Sequence, residues 1–185
     1  MSEPSMIEPD TKDWTWVLER PCPDCGFDAT TVDPAGIGDV IRDNAERWQQ
    51  VLATPDAARR PEPTVWSPAE YAAHVRDVHR TFGARAALML GRDDPEFANW
   101  DQDETAVAER YDLQQPDQVA PELLEEADRV AATYDDVEGE AWQRRGRRSN
   151  GSEFTVDTLG RYHLHDVVHH LWDVRWVHDA DRGGA

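Results

Sequence analysis

Four long segments of the chain carry apolar residues three and four positions apart, and this spacing limits the fold more than any other feature. Residues so spaced share one face of an α-helix, because about 3.6 residues make one turn. We therefore predict helices over about 34–53, 68–90, 115–134 and 155–177. Four long helices with one long crossover segment predict an all-α four-helix bundle.

Capping and turn residues mark the ends of these segments. Asp33-Pro34 places a side-chain acceptor and then a proline at the start of the first helix. Ser67-Pro68-Ala69-Glu70 is a capping box at the start of the second. Residues 91–115 are irregular and polar, with a short helix expected at 103–110. Asn150-Gly151 is a strong turn signal and predicts a small hairpin before the last helix.

The residues before the first helix differ from the rest, so we divide the chain into an N-terminal arm, 1–33, and a bundle, 34–185. Trp14 and Trp16 lie two positions apart, which predicts a short extended arm or strand that lays its indoles on the body. The tight knuckle Cys22-Pro23-Asp24-Cys25-Gly26 follows. A structural zinc needs four ligands and a second CxxC is absent. Cys22 and Cys25 therefore leave three alternatives: zinc with ligands borrowed from elsewhere, a redox dithiol, or a reduced turn.

The charge and composition argue against several classes of protein. With 38 acidic and 19 basic residues, the net charge of −19 suits neither a nucleic-acid binder nor a protein docking on anionic membranes. Apolar runs are short, the first ten residues lack an apolar signal segment, and two cysteines are too few for a disulfide scaffold. We expect a soluble cytoplasmic protein that acts on a small molecule, with a homodimer left open.

Histidines gather at the last predicted helix, where five of the seven lie in or just after it. Two pairs four residues apart share a face in adjacent registers: His165 with His169, and Asp166 with His170. His74 lies on the apolar stripe of the second helix, where an unpaired polar group is costly. Three such side chains facing one another predict a metal site with an open position. Hydrogen-bonded core histidines would give the same pattern and remain the alternative.

These motifs make the chain resemble the DinB-like superfamily, nearest to its mycothiol-dependent maleylpyruvate isomerase branch. The likeness is carried by WSPAEYAAHV at 66–75 and HDVVHHLWD at 165–173, and it extends over roughly 35–178. It implies a four-helix bundle that binds one divalent metal through His74 and two residues of the last helix. Zinc is the metal expected first, with nickel, iron or manganese as alternatives.

The resemblance leaves two registers for the ligands on the last helix. The isomerase branch has a carboxylate four residues before a histidine that is followed by Trp-Asp, which fits Asp166 and His170. Here Asp replaces the longer Glu of that branch. Other branches use two histidines four apart, which would be His165 and His169. Asp173 is placed to accept from the second nitrogen of a histidine ligand.

The resemblance also implies a function. We expect a metal-dependent enzyme that transfers or isomerises with a low-molecular-weight thiol, since a metal lowers the pKa of a bound thiol. A metal-dependent hydrolase and a non-catalytic, metal-binding or stress-associated bundle are the alternatives. Four arginines near the predicted hairpin either form a solvated surface or recognise a carboxylate of the thiol or substrate. They are Arg144, Arg145, Arg147 and Arg148.

Overall fold

The computed structural model describes residue 7 and residues 12–176. The helices of this part are α1 (Ile37–Leu52), α2 (Pro68–Gly91), α3 (Gln102–Ala108), α4 (Pro116–Asp135) and α5 (Val156–Asp173). The strands are β1 (Glu96–Phe97), β2 (Arg145–Arg148) and β3 (Glu153–Thr155). Short 3-10 helices lie at Thr15–Leu18, Ala29–Thr31, Pro34–Gly36, Tyr111–Leu113 and Gly139–Gln143.

The four long helices, α1, α2, α4 and α5, form a bundle. Helix α4 packs on α1 and α2, and α5 packs on the same two helices, so the order around the bundle is α1, α4, α2, α5. Helices α2 and α5 run antiparallel, because His74 faces His170 while His79, further along α2, faces His163. The predicted all-α four-helix bundle is confirmed.

The bundle core is filled by large apolar side chains, among them the fully buried Trp48 of α1 and Leu159 of α5. Helix α5 approaches its neighbours closely at Gly160. A Cβ there would lie 2.7 Å from Cδ1 of Ile37 and 3.2 Å from the ring of Tyr134. A side chain at this position would push α5 away from α1 and α4, so glycine keeps the histidine-bearing helix in place.

The helix starts follow from local hydrogen bonds. Ser67 Oγ accepts from the amide of Glu70, and Glu70 Oε2 accepts from the amide of Ser67, as a capping box requires. Helix α5 begins with a reciprocal pair between Thr155 and Thr158. It ends at Asp173, before the predicted end, because the backbone leaves the helical region at Val174. Residue 177, the predicted end, lies outside the described residues.

The small sheet confirms the predicted hairpin and adds a strand. β2 and β3 pair antiparallel around the Asn150-Gly151 turn, where Gly151 has a positive φ of 96°. β1 pairs parallel with β2. Its two residues are too few to show a strand period, so the sequence did not predict it.

The prediction of an extended segment at Trp14 and Trp16 is wrong. This stretch forms the 3-10 helix Thr15–Leu18. The side chain of Asp13 accepts from the amide and the hydroxyl of Thr15 just before it, a local hydrogen-bond pattern that competes with an extended chain. The two indoles stack 5.8 Å apart. The arm packs against α5. The division at residues 33 and 34 stays a prediction.

None of the helices in residues 12–176 is both long and apolar enough to cross a membrane.

Candidate metal centre

Three side chains from two helices converge beside the bundle core. His74 comes from α2, and Asp166 and His170 come from one face of α5. His74 Nε2 lies 3.7 Å from Asp166 Oδ1, and His170 Nε2 lies 3.3 Å from the same oxygen. One donor atom of each residue lies within 4.8 Å of the other two. The structure thus groups His74 with the Asp166 register of α5.

Two residues of this cluster carry buried polar atoms that the protein leaves without a hydrogen bond. His74 is 0% exposed, and neither of its ring nitrogens has a hydrogen-bond partner. Asp166 Oδ1 is also buried without a hydrogen bond of good geometry. Buried polar atoms left this way cost free energy unless something else binds them. Two imidazole nitrogens and a carboxylate oxygen suit a divalent transition metal, so these residues fit a metal ion.

The charges of the cluster reinforce that fit. Burial alone would raise the pKa of Asp166, but the facing rings of His170 and His74 hold it well below its usual range. Burial lowers the pKa of His74, and repulsion from His170 adds to this. Burial opposes protonation of His170, yet Asp166 and Asp173 raise its pKa to about 10. Asp166 is therefore a persistent carboxylate and His74 a neutral imidazole, which are two ready ligands for a cation. A metal ion bound by His170 would replace the proton that its ring holds next to Asp166.

The orientation of His170 is set by Asp173. His170 Nδ1 lies 3.0 Å from Asp173 Oδ2, so Nε2 is left to face Asp166 and His74. A carboxylate on the far nitrogen fixes the ring and makes the ligating nitrogen more basic. Asp173 has the partner role that the sequence analysis suggested for it.

Aromatic rings enclose the other side of the cluster. The ring of His74 stacks on Trp100 at 5.5 Å with an interplanar angle of 2°, and Trp66 lies 5.6 Å from it. Trp100 is itself fixed, because its Nε1 donates to Thr105 Oγ1 at 2.8 Å. The sequence analysis missed Trp100, since it lies in the irregular stretch after α2 where no periodic pattern marks a residue as facing the core.

A cavity of about 770 Å³ opens onto the cluster. Its walls carry histidines, aromatic side chains, and charged side chains of both signs. The histidines are His165, His169 and His170, the cationic residues are Lys12 and Arg148, and the acidic residues are Asp13, Asp101, Asp103, Glu104, Asp166 and Asp173. The aromatic residues in the lining are Trp14, Trp66, Tyr71, Trp100 and Tyr162. Pockets of about 300–1,000 Å³ hold small-molecule ligands, so Asp166 and His170 of this cluster border a ligand-sized space.

The four predicted arginines do not act as one group. Arg148 lines the cavity, where it donates to the neutral side chains of Asn150 and Ser152. Arg144 donates to two backbone carbonyl oxygens away from the lining, and Arg147 lies 3.6 Å from Asp94. Arg145 is exposed. Arg148 therefore lines the cavity, and Arg144, Arg145 and Arg147 do not.

The other predicted register of α5 faces the arm. His165 and His169 group with Cys22 and Cys25, and one donor atom of each lies within 4.8 Å of the other three. Cys22 Sγ lies 3.6 Å from His169 Nδ1. The two pairs on α5 that the sequence offered as alternatives thus belong to two separate clusters.

Comparison with known proteins agrees with this architecture. A sequence model of the DinB superfamily matches residues 37–174. Among solved structures, the chain is similar to YfiT from Bacillus subtilis, described as a probable metal-dependent hydrolase with an unusual four-helix bundle topology. The TM-score is 0.67 at 16% identity, and the match covers 82% of this chain and 89% of YfiT. No curated protein matches the chain. The narrower likeness to maleylpyruvate isomerases stays a prediction, and the chain belongs to the DinB superfamily.

Proposed function

We propose that the protein is a metal-dependent enzyme in which a low-molecular-weight thiol attacks a small electrophilic substrate. As a transferase it would leave the thiol on the product, and as an isomerase it would release the thiol again. His74, Asp166 and His170 would hold one divalent cation, zinc first among the candidates. The observation that carries the proposal is the convergence of these three residues, with the unsatisfied atoms of His74 and Asp166, next to a cavity of about 770 Å³.

Three protein ligands are typical of catalytic metal sites, which keep at least one position open. A divalent cation in this site would act as a Lewis acid and lower the pKa of a thiol or water bound next to it. The protein's own part is to orient the ligands. Trp100 stacks on His74, and Asp173 holds His170, so both rings are fixed before any substrate enters.

The cavity supports a reaction between two small molecules. Its volume is larger than a single water nucleophile needs, and its aromatic walls suit the apolar part of an organic substrate. Arg148 donates its hydrogen bonds to the neutral side chains of Asn150 and Ser152, and the acidic side chain of Asp13 acts on it electrostatically. A carboxylate of the thiol or the electrophile could pair with its guanidinium.

A metal-dependent hydrolase is the second candidate, and the description of YfiT favours it. The same three ligands would then serve a water nucleophile, with the cavity holding a single substrate. The two functions differ in one requirement, because the hydrolase needs no thiol.

The test is turnover by the zinc-loaded protein with and without mycothiol, against maleylpyruvate, chlorodinitrobenzene and a panel of esters and amides. We expect product formation that needs both the thiol and the metal and that disappears in His74→Ala. His79→Asn is the matched control, since it alters another buried histidine of α2 outside the cluster. Turnover of esters or amides without thiol would instead establish the hydrolase, and a fully loaded protein inactive in every assay would contradict both.

A further inference from the structure

The N-terminal arm meets α5 through four side chains that the proposed reaction does not use. We propose that Cys22, Cys25, His165 and His169 form a second metal site, a closed zinc site that fastens the arm to the bundle. This site has a structural role and stands independently of the proposed enzymatic activity.

The knuckle holds its two thiols in a folded turn. The amide of Gly26 donates to the carbonyl of Cys22 at 2.9 Å, and the amide of Cys22 donates to the carbonyl of Phe27 at 2.9 Å. Gly26 has a positive φ of 75°, which a residue with a side chain rarely adopts. The turn therefore keeps Cys22 and Cys25 together, as the first half of a four-ligand site requires.

Helix α5 supplies the second half. His165 and His169 are four residues apart, so they project from the same face, and their ring centres lie 5.2 Å apart. This face is one residue out of register with Asp166 and His170, which is a rotation of about 100° around the helix. One helix can therefore present two different ligand pairs to two neighbouring sites without sharing a residue.

One separation matches a tetrahedral ion, and the four donor atoms are close enough to converge on one ion. A zinc about 2.3 Å from sulfur and about 2.0–2.1 Å from nitrogen keeps those two ligand atoms about 3.6 Å apart at the tetrahedral angle. Cys22 Sγ lies 3.6 Å from His169 Nδ1. All four donor atoms lie within 4.8 Å of one another.

Burial gives an independent indication of a ligand. His165 is 3% exposed, and its Nε2 has no hydrogen-bond partner. Cys22 is 1% exposed. An orphaned imidazole nitrogen beside two cysteine side chains is costly when empty and satisfied when a cation binds. Two thiolates and two neutral imidazoles are a common structural zinc set and would balance the charge of the ion.

The same carboxylate reaches the histidine ligands of both clusters. Asp173 Oδ1 lies 3.8 Å from His169 Nε2, while its Oδ2 lies 3.0 Å from His170 Nδ1. The far nitrogen of each ring is thus directed toward Asp173. His169 then presents Nδ1 to the cysteines, and His170 presents Nε2 to the open cluster.

The closed site would set one wall of the cavity. Trp14 packs on the rings of His165 at 5.4 Å and of His169 at 5.1 Å. Trp14 and Lys12 both belong to the lining of the cavity. Four ligands leave no position for a substrate, so the metal would act by holding the arm rather than by taking part in a reaction.

The test replaces zinc with Co²⁺ and records the absorption spectrum, in which bound thiolates give a charge-transfer band in the near ultraviolet. We expect this band in the parent protein and in His74→Ala, and its loss in Cys25→Ser. Asp24→Ser is the matched control, because it introduces the same residue at an exposed position of the same turn and should keep the band.

X-ray absorption on zinc-loaded His74→Ala gives a readout that does not depend on a cysteine variant. The expected first shell is two sulfur and two nitrogen ligands. A shell without sulfur, a parent that binds cobalt without the thiolate band, or cysteines found oxidised to a disulfide in protein purified under reducing conditions would each overturn the closed site. None of these results would bear on the open cluster, which contains no thiol.

Discussion

Two adjacent faces of α5 carry similar side chains but differ in what completes them. Both pairs line the same cavity, but Asp166 and His170 meet a single histidine from α2. His165 and His169 meet two cysteines from the arm, which complete a set of four. A step of one residue along the helix thus separates an arrangement suited to chemistry from one suited to stability. Coordination number and the partner element, rather than the histidines themselves, make the difference.

The largest expected effect is at the open cluster of His74, Asp166 and His170. His74→Ala should remove the metal of that cluster and lower turnover by at least about 1,000-fold, because loss of Lewis-acid stabilisation costs several kcal/mol. Metal analysis beside the activity assay checks this. The closed site should keep its zinc in the same variant, so loss of both metals would break the proposed separation of the two faces.

The second prediction concerns the stability that zinc in the closed site gives to the folded protein. Zinc present at about 1,000 times its dissociation constant would stabilise the folded state by about 4 kcal/mol. A strong chelator should therefore lower the melting temperature of the parent, which loses two zinc ions, more than that of Cys25→Ser, which loses only the zinc of the open cluster. Calorimetry with and without chelator measures both. Equal chelator shifts in the parent and Cys25→Ser would show that the cysteines hold no metal.

Asp173→Asn tests both sites at once, because the carboxylate of Asp173 lies near one histidine of each pair on α5. Loss of such a partner weakens metal binding by about 10–100-fold. Titration with a competing metal indicator should show weaker binding at both sites in this variant. Asp157→Asn, near the other end of α5, is the control and should change neither affinity. Weakening at one site only would mean that Asp173 supports that face alone.

The smallest effect concerns substrate recognition in the cavity. Arg148→Ala should raise KM for a carboxylate-bearing substrate by about 10–100-fold with little change in kcat, as expected for a charged hydrogen bond worth about 1.5–3 kcal/mol. Steady-state kinetics checks this against Arg145→Ala, an exposed arginine of the same strand. A drop in kcat with unchanged KM would instead mean that Arg148 stabilises the transition state rather than the bound substrate.

Much of the fold could be predicted from the sequence because its signals are local. Apolar periodicity marks the long helices, Ser67 and Glu70 mark the start of α2, and Asn150-Gly151 marks the hairpin. The 3-10 helix Thr15–Leu18 was missed because two tryptophans two positions apart are too few residues to tell a strand from a single helical turn. β1 was missed because two residues show no period.

The site was predictable only as sets of candidates. Spacing on α5 gives two ligand pairs, but it does not say which face meets α2 and which meets the arm. That choice depends on how the helices pack, with Gly160 bringing α5 close to its neighbours. The partners of Cys22 lie at the far end of the chain, so no local pattern connects them. Trp100 carries no signal at all in its irregular stretch.

The most direct test of the two faces is the zinc content of the parent, His74→Ala and Cys25→Ser after full loading and removal of loosely bound metal. The account predicts two zinc ions per chain in the parent and one in each variant. A single zinc in the parent that both substitutions remove would contradict it, because the two clusters would then be one site.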